Sequence, residues 1–224
     1  METKQLRFYL AFALIALTEL TFTALKMETL RFLTKPLLLP ALAGLYFVSV
    51  KDQPKWQKDA IILALIFSWA GDVLLQLKGM FVAGLSSFLT AHVFYIFFFI
   101  RTNSTTASFF KLRPVMLIAV LAYLIELMLI LWPSLGGMKI PVLLYGITIS
   151  IMLSAAFWQY KKLDDKTALY FVLGAAFFVA SDSILAINKF KSPFEHAGIY
   201  TMTTYILAQL FIVTGAIRYR NNSY

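Results

Sequence analysis

The stretch A-I-I-L-A-L-I-F-S-W-A-G-D-V-L-L-Q-L, residues 60–77, decides the fold. It is an apolar run of the length that crosses a bilayer, about 20 residues, and a single carboxyl group, Asp72, interrupts it. A second run, F-V-A-S-D-S-I-L-A at residues 178–186, repeats the pattern. There Asp182 follows a small residue, Ser181, as Asp72 follows Gly71. Backbone groups in hydrocarbon must find partners within their own segment, so runs of this kind are helices. A carboxyl group in hydrocarbon costs several kcal/mol, so a chain that keeps two is expected to use them.

Working outward, eight runs are long and apolar enough to span: 6–25, 30–50, 57–77, 80–100, 112–132, 138–160, 166–187 and 200–219. Short polar separators join them, none long enough for a further domain. Of the 224 residues, 60% are hydrophobic and 14% charged, against roughly a quarter charged in soluble domains. The expected architecture is therefore all-α, one polytopic transmembrane bundle of about eight helices over residues 1–224. The first run, with Glu19 late in it and no small-residue cleavage pattern after it, reads as a retained helix rather than a signal peptide. The net charge of +9 does not point to nucleic acid, because the basic residues flank the apolar runs, where they set topology and meet anionic lipid headgroups. With no cysteines, thiolate metal sites and disulfides are excluded.

Thirteen Lys and Arg residues fall on one side of this layout and six on the other, with Lys35 inside a span. The positive-inside rule then places both termini in the cytoplasm, and the expected location is the inner (plasma) membrane of a bacterium. In this topology Glu19, Asp72, Glu126 and Asp182 lie late in outward-going helices and Lys35 early in an inward-going one. Five charges at one depth predict a shared polar cavity open to the outer face. Lys35 precedes Pro36, and proline disfavours helical geometry in the residue before it. A helix starting at Pro36, capped by Thr34, would leave Lys35 at a break, able to meet a phosphate or an aspartate.

Two carboxyls in one low-dielectric cavity do not both ionise cheaply, which keeps an acid and a base side by side. The alternative is that each aspartate only ties helices together, through Ser68, Ser181, Ser183 or backbone groups. His92 and Tyr95 share one helical face and Tyr205 and Gln209 another. G-x-S-x-G, H-E-x-x-H and Walker-type motifs are absent, and two histidines are too few for a histidine-rich zinc site.

The strings K-P at 35–36, G-D-V-L-L at 71–75, F-L-T-A-H-V-F-Y at 88–95, S-D-S-I-L-A-I-N-K-F at 181–190 and T-T-Y-I-L-A-Q at 203–209 together resemble the YhhN family of membrane proteins, which includes lysoplasmalogenases. The resemblance covers most of the chain. It implies hydrolysis of the vinyl ether bond of a lysoplasmalogen to a fatty aldehyde and a glycerophospho-ethanolamine or -choline. That reaction calls for a proton donor to the alkenyl carbon, an anion to steady the oxocarbenium ion and controlled water. It needs no metal and no other cofactor. One of Asp72 and Asp182 is expected to donate the proton while the other steadies the cation. Lys35, His92, Tyr95, Asn188, Tyr205 and Gln209 are expected to hold the headgroup or orient the carboxyls. The competing reading is a proton-coupled transporter or flippase of a lipid or small solute, whose polar residues should cross the full membrane rather than gather in its outer half.

Overall fold

The computed structural model describes residues 3–50, 53–102, 114–159 and 163–219. Lys51, Lys111, Arg113, Lys161, Lys162 and Arg220 of the charge count, and the outer limits of the runs 112–132 and 138–160, lie outside these residues. The helices are α1 (Thr3–Ala24), α2 (Glu28–Thr34), α3 (Leu38–Ser49), α4 (Lys55–Gln76), α5 (Phe81–Arg101), α6 (Pro114–Leu131), α7 (Lys139–Gln159), α8 (Asp165–Ala186) and α9 (Ala197–Arg218). A 3-10 turn, Lys35–Leu37, joins α2 to α3, and a π-turn, Ile187–Lys191, extends α8. Among the described residues there is no strand, and eight helical stretches are long and apolar enough to cross a membrane. The chain is an integral membrane protein.

Two compact units divide the chain, residues 1–98 with 213–224 and residues 99–212. In the first, α1 packs along α3 and α3 along α4. The α4–α5 contact depends on Gly71, where a Cβ would stand 2.5 Å from the Phe88 ring. The Ser87 hydroxyl then donates to the Phe67 carbonyl at 2.6 Å, and the Phe67 and Phe94 rings stack at 5.7 Å. Gln53 ties the end of α9 down, donating to the carbonyls of Ala216 and Tyr219.

In the second unit α6, α7 and α8 pack in chain order. Asp164 caps α8 by accepting the Thr167 backbone N–H, a bond that satisfies one of the orphan donors of the first turn. The approach of α8 to α9 requires Gly174, whose Cβ would meet the Ile212 side chain at 2.6 Å and its backbone nitrogen at 2.9 Å. Met128, Leu131, Leu135 and Val142 form an apolar cluster at one end, with Ile187 and Phe190 of the π-turn against it.

Two expectations fail here. Thr34 is not a cap: it has helical dihedrals and no side-chain capping bond, and Lys35 is itself helical at φ −55°, ψ −46°. The chain passes through Pro36 by tightening to a 3-10 turn, in which the Lys35 N–H still bonds the Arg31 carbonyl and the Leu38 N–H bonds the Lys35 carbonyl. Nor are buried polar groups confined to one half, since Gln57, Gln159 and Thr167, near the opposite helix ends, are fully buried.

Candidate active site

Each aspartate is followed by four further residues of its helix, so the two sit at equivalent positions on α4 and α8. In the first unit Asp72 is buried, and the Lys35 ammonium lies 3.1 Å from its Oδ1. The Lys35 side chain is only 11% exposed, so it does not snorkel to the interface. One turn earlier on α4, the Trp69 indole N–H donates to the Pro36 carbonyl at 2.9 Å. Glu19 of α1 is fully buried and accepts from Thr34 Oγ1 at 2.5 Å, Arg31 Nε at 3.1 Å and Thr23 Oγ1 at 3.3 Å. Arg31 also reaches both carboxylate oxygens of Glu28 at 3.0 Å.

In the second unit Asp182 is partly buried and accepts a hydrogen bond from the Tyr145 hydroxyl of α7 at 2.6 Å. Next to it the Tyr123 hydroxyl of α6 donates to Ser183 Oγ at 2.6 Å, and Ser183 donates onward to the Val179 carbonyl. These groups form the polar part of a cleft between α6, α7 and α8. Its other walls are mainly apolar, among them Leu124, Leu127, Leu131, Val142 and Ile149. The free space is about 40 Å³, room for roughly three or four waters at about 10–15 Å³ each.

The remaining expected residues divide. His92 is buried and its Nδ1 pairs with the Phe88 carbonyl, and since a carbonyl only accepts, Nδ1 carries the proton. Tyr95 is fully buried on the same helix. Tyr205 and Gln209 meet across a long 3.5 Å contact, and the Tyr205 ring stands edge-on to Phe178. Asn188 accepts the Phe194 backbone N–H and so shapes the loop after the π-turn. None of Asn188, Tyr205 and Gln209 lines the Asp182 cleft.

A single cavity holding all five charges is not what forms, because Glu19 is enclosed by Arg31 and threonine hydroxyls and Glu126 is exposed on α6. The serines that the tying alternative offers the aspartates as partners are placed otherwise. Ser181 donates to the Thr201 carbonyl, and Ser68 Oγ finds no partner among the described residues. Sequence reasoning missed Tyr145, Tyr123 and Trp69. A tyrosine or tryptophan in a span ordinarily marks the interfacial aromatic belt, so no local signal set these three apart.

The chain is thus a polytopic helical membrane protein with a carboxylate–ammonium pair in one unit and a carboxyl–phenol pair in the other, at equivalent helix positions. The profile of the YhhN family matches residues 30–216, and the chain belongs to that family. It is similar to lysoplasmalogenase TMEM86B of Homo sapiens, 34% identical over 181 residues that cover 80% of this chain and 73% of that protein. It is also similar to lysoplasmalogenase TMEM86A of Homo sapiens, 31% identical over 71% of this chain and 66% of that one. A lysoplasmalogenase of Mycobacterium bovis is 29% identical over 69% of this chain and 59% of its own length. No solved structure gives a significant match.

Proposed function

We propose that this chain is a lysoplasmalogenase, hydrolysing the vinyl ether bond of a lysoplasmalogen with Asp72 and Asp182 as its catalytic carboxyls. The supporting observation is the Asp182–Tyr145 pair in a mainly apolar cleft with room for water. Family membership and the named relatives supply the reaction class. The first step adds a proton to the alkenyl carbon and leaves an oxocarbenium ion. Water adds to that ion and loses a proton, and the hemiacetal collapses to the aldehyde and the glycerol hydroxyl. Atoms balance with water as the sole co-reactant.

The Lys35 contact suits Asp72 to the anionic role, and the acid role then falls to Asp182. The Tyr145 hydroxyl fixes one carboxyl oxygen of Asp182 and so orients the carboxyl in the cleft. Leu124, Leu127, Val142 and Ile149 offer the surface an alkenyl chain packs against. A positioned general acid contributes about 10²–10⁴-fold. We also place the protein in the plasma membrane of a bacterial cell, a reading in keeping with the mycobacterial relative and the Lys/Arg asymmetry.

The test is aldehyde release from an alkenyl lysophospholipid by the purified protein, beside the acyl analogue. Release from the alkenyl substrate alone is expected. Well-folded protein that releases no aldehyde overturns the reading.

A further inference from the structure

Lys35 reaches Asp72 from beside a gap in its helix: its own N–H bonds the Arg31 carbonyl and its carbonyl accepts the Leu38 N–H, but the next residue is a proline. Pro36 has no N–H for an i→i−4 bond, so the helix at this point has lost part of its ladder and is free to bend. The direction in which Lys35 points then depends also on what holds the residues on either side. The structure shows a tertiary bond on each. Thr34 Oγ1 donates to Glu19 Oε2 at 2.5 Å, and the Trp69 indole N–H donates to the Pro36 carbonyl at 2.9 Å.

Both anchors are themselves fixed. Glu19 is fully buried and also takes Arg31 Nε and Thr23 Oγ1, while Arg31 is paired with Glu28. Trp69 lies three residues before Asp72, and residues three apart are neighbours on a helix surface. One face of α4 thus binds the backbone just after Lys35 with its indole and the side chain of Lys35 with its carboxylate.

We infer that Trp69 and the Glu19–Thr34 pair are positioning residues, which hold the Thr34–Lys35–Pro36 turn so that the Lys35 ammonium stays on Asp72. Their effect on turnover rests on the catalytic reading of Asp72; their effect on the ion pair does not. A tryptophan or glutamate that only packs or ties helices would weaken the fold without changing how Lys35 and Asp72 depend on each other.

Double-mutant cycles on the purified full-length protein separate the two roles. Lys35→Met, Asp72→Asn and the double variant give the coupling as the non-additive part of their Tm shifts. The cycle is then repeated with Trp69→Phe, which keeps an aromatic ring and removes the N–H, and with Thr34→Val. The coupling is expected to fall by at least half in both backgrounds, and Thr34→Ser is expected to restore it. Coupling of full size in both overturns the inference. In turnover, Trp69→Phe is expected to lower kcat about tenfold at a KM within roughly twofold, and to have no further effect once Lys35 is Met. An equal fall in both backgrounds overturns the inference as well. Wild-type turnover in Asp72→Asn would instead end the catalytic reading of Asp72, and the Tm cycle would still decide the positioning.

Discussion

The two aspartates share a sequence setting and differ in what answers them. Each follows a small residue and precedes the last four residues of a 22-residue helix. Asp72 is buried against an ammonium delivered by a proline-disrupted helix, whereas Asp182 meets a phenol in a cleft. The small residue also serves different ends. Gly71 makes room for the Phe88 ring, and Ser181 reaches across to the Thr201 carbonyl. Equivalent helix positions therefore carry carboxyls of different character, and the character comes from partners distant in the chain.

Neutralising either carboxyl without changing its size breaks the comparison most severely. Asp182→Asn and Asp72→Asn are each expected to lower aldehyde release by about 10²–10⁴-fold, measured at saturating substrate with thermal stability followed in parallel. The partners should then part company. Lys35→Met leaves a buried carboxylate without its cation and is expected to cost about 3–5 kcal/mol of stability, read from the shift in thermal unfolding. Tyr145→Phe removes only a neutral donor and is expected to cost about 0.6–2 kcal/mol. Equal costs would erase the distinction between the two sites. Gly71→Ala drives a methyl into the Phe88 ring and is expected to lose about 1–3 kcal/mol through overpacking, again by thermal unfolding. The smallest effect is expected from Glu126→Gln. Its carboxylate is exposed, and both turnover and stability should stay within about 0.5 kcal/mol of the parent.

The fold was legible because hydropathy over a span's length is a local property. The run 57–77 became α4 at Lys55–Gln76, and 80–100 became α5 at Phe81–Arg101. The intramembrane charges were legible for the same reason, since Asp72, Asp182 and Lys35 stand out against apolar neighbours. Their partners were not. Tyr145 is 37 residues from Asp182, Tyr123 is 60 from Ser183, and Trp69 is 33 from Pro36. No periodicity within one helix encodes such pairings. The rule for residues before proline misled at Thr34 and Lys35 because it is a local steric preference. Here the Lys35 N–H and carbonyl keep their helical bonds, to Arg31 and Leu38. Equal depth misled at Glu126, because depth along a helix says nothing about which face a side chain occupies.

Protonation of the alkenyl carbon by a carboxyl group is the step on which the proposed hydrolysis turns. The measurement that reaches it most directly is hydrolysis of a lysoplasmalogen in deuterated water, with the aldehyde trapped as it forms. Wild-type protein should release aldehyde carrying one deuterium at the carbon beside the carbonyl, and well-folded Asp182→Asn should release almost none. Aldehyde without that deuterium, or turnover undiminished in Asp182→Asn, would contradict the account.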